Sequence, residues 1–290
     1  MNQRILVVND VPGAGKVAAN VNVPVLVASQ LETAILPTKI LSSQTGSYYS
    51  PPIEHDLDTS FADFFSHWQD NQVHFDGILL GYCADPSQLQ EVQAFYQREL
   101  KQGHPAKLIV DPIMADHGHF YSGFDESYLK AYHDLFPMID ILTPNLTEAC
   151  LLTGTPYKNQ FSQSEVLEIA TKLGEGQIKD VIITGVQFEA DQIGFYHYSA
   201  KNQTGNYMSH RYFDFNFFGT GDLTVSLLAA SVLYNDSIQQ SLTWIAQLIE
   251  KILSSTLSQD KPPQEGIAFE NQIGEIFDHF DQLKRQQETC

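Results

Sequence analysis

Phe217-Phe218-Gly219-Thr220-Gly221-Asp222 runs directly into an apolar stretch, Leu223 to Tyr234, whose composition predicts a helix. Two glycines in such a turn let backbone N–H groups point at a ligand, and the helix start behind them adds a partial positive charge. A nest of this kind can hold a phosphoryl group without lysine or arginine. Asp222, at the helix start, could take a proton from a substrate hydroxyl. Taken alone, the tetrapeptide reads as an ordinary turn with an aspartate cap. A second set of polar or small residues stands where apolar strand bodies end: Asn9-Asp10, Gly81-Tyr82, Asp111, Thr143-Pro144-Asn145 and Thr184-Gly185. In an open parallel sheet, ligands bind beyond the carboxyl ends of the strands. Exposure alone accounts for any one of these groups better than for all five on one rim.

The elements that must position these residues follow from periodicity. Strands are predicted over 4–8, 77–82, 107–111, 138–142 and 180–184; the 77–82 run is apolar throughout, as a strand buried on both faces should be. Helices are predicted over 86–101 (opened by Asp85-Pro86, stopped by Gly103-His104-Pro105), 125–136, 147–153 (closed by Gly154) and 162–174 (opened by the capping box Ser162-x-x-Glu165). Three more follow over 222–234, 237–258 and 271–286, after a hairpin of 192–198 and 207–213 around Gly205. Residues 17–31 are ambiguous. Val21, Val23, Val25 and Val27 alternate like a strand, whereas Val17, Val21, Val25, Ala28 and Leu31 keep helical spacing. Pro24 weakens both readings, and the need for a crossover favours helix. The alternation predicts one doubly wound α/β domain over 1–290, a mostly parallel sheet with helices on both faces.

Composition sets the bounds. The 290 residues are 43% hydrophobic and 18% charged, with 13 Tyr and 18 Phe, which suits a buried core and argues against a disordered chain. Thirty-five acidic residues against 16 basic ones give a net charge of −19. That excludes nucleic acid or an anionic membrane as the main partner, but not an anionic substrate held at a local site. Cys83, Cys150 and Cys290 form neither a disulfide framework nor a zinc knuckle. Ile5 to Val8 is too short for a signal sequence and Val225 to Tyr234 too short to span a bilayer, so the expectation is a cytoplasmic protein.

Other motifs have plainer readings. Gly13-x-Gly15-x-x-Ala18, with Glu32 further on, loosely fits a dinucleotide-binding turn, but Asn9 to Pro12 separate it from the strand. Gly15-Lys16 is no Walker A motif, since Asp10 replaces the first glycine and Val17 the Ser/Thr. His117-Gly118-His119 lacks a further ligand at metal spacing and reads as loop. His197, between Tyr196 and Tyr198 on a strand, should face solvent. Phe61, Phe64, Phe65 and Trp68 keep helical spacing and read as core, and Cys150 as packing.

Several blocks together resemble a known family. Gly219–Asp222 before a helix is similar to the signature of the ribokinase-like superfamily. Asp111-Pro112-Ile113-Met114-Ala115-Asp116 resembles the DPV(M/L)xD segment of vitamin B6 and hydroxymethylpyrimidine kinases, and Thr143-Pro144-Asn145-Leu146-Thr147-Glu148-Ala149 their TPNxxEA segment. Leu41-Ser42-Ser43-Gln44-Thr45-Gly46 lines up with the SxHTG element of pyridoxal kinases, and Gly81-Tyr82 with their GY. The blocks run in family order from Ile5 to about Tyr234, and pyridoxal kinases are the best match.

The resemblance implies a ribokinase-like, three-layer αβα fold. It also implies ATP-dependent phosphorylation of the 5′-hydroxymethyl group of pyridoxal, pyridoxine or pyridoxamine in vitamin B6 salvage, with Mg²⁺ and room for a monovalent cation such as K⁺. Asp222 resembles the base, and Gly219, Thr220 and Gly221 the anion hole. Asn145 and Glu148 resemble the pair near the ATP phosphates and Mg²⁺, with Asp111 adding carboxylate charge, and Thr184-Gly185 a phosphate contact. Asp116 and Tyr121 fall in or beside the loop that closes over ATP; Asp10, Thr45 and Tyr82 match positions lining the ring pocket. A homodimer is the family expectation. The chain departs from the pattern at Asp10, where many pyridoxal kinases carry Ser, and at Gly185, where some carry a second hydroxyl. Ring specificity therefore stays open towards hydroxymethylpyrimidine, the substrate of a related kinase of thiamine synthesis. A non-catalytic B6-binding protein would have no need of Asp222, and an NAD-dependent oxidoreductase would bind NAD without binding ATP.

Overall fold

In the computed structural model, which describes residues 3–45, 50–55, 57, 61–259, 261–262 and 265–288, the apolar runs pair into a nine-stranded sheet. The chain begins with β1 (Arg4–Pro12), α1 (Ala19–Ala28), β2 (Glu32–Leu41), β3 (Glu54–His55), α2 (Phe61–Asp70), β4 (Gly77–Leu80), α3 (Pro86–Lys101) and β5 (Lys107–Val110). A small hairpin of β6 (Ala115–Asp116) and β7 (His119–Phe120) follows, then α4 (Glu126–Leu135), β8 (Ile141–Leu142), α5 (Leu146–Thr153) and α6 (Gln163–Glu175). The remainder is β9 (Asp180–Glu189), β10 (Gln192–Ser199), β11 (Thr204–Arg211), α7 (Thr220–Leu233), α8 (Ile238–Leu257) and α9 (Ile273–Glu288). The sheet order is β11-β10-β9-β8-β5-β4-β1-β2-β3. From β9 to β2 every neighbouring pair is parallel, while β3, β10 and β11 each join antiparallel.

Because strand side chains alternate in direction, each central strand feeds two cores. Leu6, Val8, Ile78, Leu80, Leu108 and Val110 pack under α2 to α6. Ile5, Val7, Leu79 and Ile109 pack under α1, α7, α8 and α9. This is the three-layer αβα arrangement, with the carboxyl ends of the parallel strands on one rim.

The structure departs from the sequence reading in several places. β1 does not stop at Val8: its ladder with β2 shifts register between Asn9 and Val11 and continues to Pro12. Asp10 thus sits at an irregularity inside the strand, not beyond it. Periodicity assigns no element to 32–41, where β2 lies, because Thr33, Pro37, Thr38 and Lys39 break any clean alternation. Residues 17–31 resolve as α1 with Pro24 inside the helix. The strand expected over 138–142 shrinks to β8, since Phe136–Met138 form a 3-10 turn with a proline in its first positions. His197 does not face solvent. β10 lies between β9 and β11 with α6 and α8 packed on it, and the buried His197 ring sets Nε2 2.7 Å from Asp180 Oδ1. No helix among the described residues is long and apolar enough to cross a membrane.

Candidate active site

The turn before α7 is fixed by the absence of a side chain. Gly219 adopts φ +90°, and a Cβ there would stand 2.2 Å from the Lys16 carbonyl oxygen. Gly221, the second residue of α7, has no heavy atom within 4 Å of an added Cβ, so its face is open. Behind it α7 is buried on nearly all sides from Leu223 onward, which holds its positive end still.

Two cavities meet at this helix start. The larger, about 780 Å³, is lined by Asp10, Lys39, Thr45, Tyr82, Phe124 and Asp222 among others. The smaller, about 210 Å³, is lined by Asp111, Asn145, Glu148, Thr184, Gly221 and Asp222 among others. Asp222, Tyr121 and Ile113 line both. The larger is within the range of small-molecule sites.

Asp222 is held by a buried amide network. Asn9 Nδ2 donates to Asn22 Oδ1 at 2.8 Å; Asn22 Nδ2 donates to Ser226 Oγ at 2.9 Å and to the Asp222 carbonyl at 3.2 Å. Asn9 Oδ1 in turn accepts from the Asp10 and Tyr82 amides at 3.0 Å each, which ties β1 to the end of β4. Burial pushes the Asp222 carboxyl above the ordinary carboxylate range, while the nearby Ala18 amide and the Asn22 and Asn9 side-chain amides pull it back. Asp10 is pushed up to about 7 by burial and by Asp222, with its own backbone amide and then Lys39 opposing.

The smaller chamber concentrates negative charge. Glu148 and Asn145 form the capping box of α5: each backbone N–H reaches the other's side-chain oxygen at 2.9 Å. Glu148 Oε1 also accepts from the Met114 amide at 3.1 Å, and Asn145 Nδ2 donates to the Ala115 carbonyl at 2.8 Å. Burial and Asp111 drive the Glu148 carboxyl well up, and burial and Asp222 push Asp111 up to about 8. No lysine or arginine lines this chamber among the described residues. Neighbouring carboxylates with no basic residue between them can share a cation, and hard oxygen donors suit Mg²⁺, which takes one or two carboxylates and completes its shell with water and phosphate oxygens. No group of three or more His, Cys, Asp or Glu that could hold a metal is found among the described residues, and a Mg²⁺ ion on two carboxylates would complete its shell with water and substrate oxygens. Asp111 and Glu148 fit that role.

The expected site residues are placed unevenly. Thr45, Tyr82 and Asp10 line the larger cavity; Gly46 lies outside the described residues. Thr184 bridges Asn145 across the strand ends and donates its amide to the Pro144 carbonyl at 2.9 Å. Gly185 beside it is exposed at φ +68° and lines neither cavity. Asp116, on the β6–β7 hairpin, also lines neither; its Oδ1 accepts from the His117 amide at the hairpin tip. Tyr121, just after that hairpin, reaches both cavities. Cys150 is buried, and burial pushes its thiol up to about 11. Sequence reasoning missed Lys39 and Glu54, which line the larger cavity from β2 and β3, and Asn22. The signal for Asn22 was present: a lone amide pair interrupting a valine-rich run.

A family profile for phosphomethylpyrimidine kinases matches residues 83–264. Human pyridoxal kinase is 33% identical over 177 residues, 55% of this chain and 55% of that protein. The chain spans about half the length of the curated relatives it matches first. Over nearly its whole length it is similar to the crystal structure of pyridoxal kinase from Lactobacillus plantarum, at 30% identity and a TM-score of 0.87, covering 96% of this chain and 97% of that one. A protein of Bacteroides thetaiotaomicron, described as a candidate phosphomethylpyrimidine kinase and crystallised with pyridoxal, is 28% identical with a TM-score of 0.87, covering 97% and 96%. The likeness to pyridoxal kinases and the ribokinase-like fold expected from the sequence both hold.

Proposed function

The chain belongs to the phosphomethylpyrimidine kinase family, and from that premise we propose that it is a vitamin B6 kinase, transferring the γ-phosphoryl group of ATP to the 5′-hydroxymethyl group of pyridoxal and of pyridoxine and pyridoxamine. The observation that carries this reading is the position of Asp222, shared by a ring-sized cavity and a carboxylate-lined chamber. The vitamer ring occupies the larger cavity beside Asp10, Thr45 and Tyr82, with its hydroxymethyl group towards Asp222. The Asp222 carboxylate takes the hydroxyl proton as the oxygen attacks the γ-phosphorus, whose bond to the β,γ-bridging oxygen breaks to release ADP. N–H groups of Gly219, Thr220 and Gly221, at the positive end of α7, receive the charge of the transferring group. Asp111 and Glu148 would hold Mg²⁺, which when bound offsets the charge of the triphosphate. Asn145 and Thr184 face the phosphates, and Tyr121 covers the junction. The reading takes the chain as one catalytic domain acting in the cytoplasm as a homodimer, which light scattering on the purified protein checks.

The test is ATP-dependent product formation with pyridoxal, pyridoxine and hydroxymethylpyrimidine offered separately, with Mg²⁺ and then with EDTA. Pyridoxal phosphate formed fastest, and lost with EDTA, is the expected result. Turnover of the pyrimidine alone would move the chain to the second reading, a hydroxymethylpyrimidine kinase, which the family profile favours and which uses the same catalytic groups.

A further inference from the structure

Across both chambers the described lining residues include five acids, Asp10, Glu54, Asp111, Glu148 and Asp222, and a single lysine or arginine, Lys39. That cation is not at the phosphate end. It stands in the larger cavity, on β2, one strand away from Asp10 on β1. Its side chain is only 16% exposed and is ion-paired with Glu54, which β3 brings alongside by setting Glu54 opposite Leu41. The Lys39 charge reaches both Asp10 and Tyr82, drawing each towards its ionised form against the effect of burial. Desolvating an ammonium is costly, and this one is held on the wall of the cavity next to the carboxylate of Asp10. The position of the charge therefore points to a ligand group.

We propose that Lys39 is a specificity-determining residue, whose ammonium receives the ionisable ring hydroxyl of a 3-hydroxypyridine substrate while Asp10 takes the ring nitrogen. This rests on the functional reading above and deepens it. A 3-hydroxypyridine passes its phenolic proton to the ring nitrogen, which leaves an anionic oxygen and a cationic N–H on one ring. A carboxylate and an ammonium on adjacent strands of one cavity match that pair of charges. A pyrimidine without a ring hydroxyl offers Lys39 no anionic oxygen, so the residue also separates the two substrate classes between which the sequence leaves the choice open.

The test compares kcat/KM for pyridoxine and for 3-deoxypyridoxine, which has hydrogen in place of the ring hydroxyl, in wild type, Lys39→Met and Lys39→Arg, each checked for folding by circular dichroism. Wild type should favour pyridoxine by about ten- to a hundredfold, the size of one hydrogen bond to a charged group. In Lys39→Met the ratio should collapse towards one, chiefly through KM, and Lys39→Arg should recover most of it. A residue that only straps β3 to β2 would lower both substrates equally; that result, or an unchanged ratio in Lys39→Met, overturns the assignment. If Lys39→Met does not fold, Lys39→Gln reads the same ratio. A wild type that turns over neither compound overturns the functional reading itself, and calorimetric binding of the two compounds to wild type and Lys39→Met then decides Lys39 separately by the same ratio.

Discussion

Asp222 has to be both ionised enough to accept a proton and close enough to its neighbours to be aimed. Its removal isolates the first requirement. Asp222→Asn keeps the shape and the backbone contacts, so kcat should fall by about 10²- to 10⁴-fold, the usual contribution of a general base, with little change in KM. Steady-state kinetics with saturating ATP and Mg²⁺ read this directly, and a near-normal kcat would remove the base assignment. The second requirement belongs to Asn22. Its side-chain amide, bonded to the Asp222 carbonyl, lies beside the carboxyl and favours the ionised form, so Asn22→Leu should raise the Asp222 pKa. Because the base works ionised, activity fails as pH falls through that pKa, and the acidic limb of kcat should move to higher pH. The other ionisable groups around Asp222 stay in place: Asp10, Lys39, Glu54, Tyr82, Tyr121 and Tyr128 in the larger cavity, Asp111 and Glu148 in the smaller. A merely structural loss would lower kcat at every pH and leave the limb where it was.

At the scale of elements, the start of α7 and its two glycines make opposite demands. Gly219→Ala forces a Cβ into the Lys16 carbonyl at a φ that side chains rarely adopt, and should cost about 1–3 kcal/mol from backbone strain alone, more with the clash. Gly221→Ala meets nothing, and alanine is the better helix former, so the fold should hold or gain slightly while the new methyl group narrows the phosphate chamber and lowers kcat. Chemical denaturation and kinetics on the two variants separate the roles; equal loss of stability in both would contradict them. What the sequence made legible follows the same physics. β4 and β5 are apolar on both faces, so their runs announce themselves, whereas glycine beside aspartate before a helix reads equally as a plain capped turn and gains meaning only with the other blocks. β2 was hidden because one of its faces is partly exposed and carries Lys39, so its pairing with β1 rests on backbone hydrogen bonds that leave no trace in side-chain type. His197 was misread because a histidine on a strand reads as exposed until α6 and α8 are known to cover it.

At the scale of the whole molecule, a chain of net charge −19 gathers carboxylates where it must accept a polyanion, and its stability should record that conflict. Asp10 and Asp111 have carboxyl groups raised from near 4 to about 7 and about 8. A carboxyl that binds its proton more tightly folded than unfolded favours the folded state at low pH. That advantage is lost as pH climbs from about 4 through the folded values, so the ligand-free protein should weaken between about pH 4 and pH 8. General repulsion pulls in the same direction, but it acts on every variant alike. Asp111→Asn isolates the site. At pH 5 only the first unit of that window has been crossed, so its Tm should exceed that of wild type by little; at pH 8.5 the excess should be several degrees larger, at about 2–4 °C per kcal/mol for a chain of this size. Mg²⁺ with ADP should raise the wild-type Tm more at pH 8.5 than at pH 5, because the cation relieves the repulsion that ionisation creates, and should raise that of Asp111→Asn less. Thermal denaturation at the two pH values checks all three. A Tm difference between variant and wild type that does not depend on pH would mean that Asp111 is satisfied by its own surroundings, and that the cation binds elsewhere.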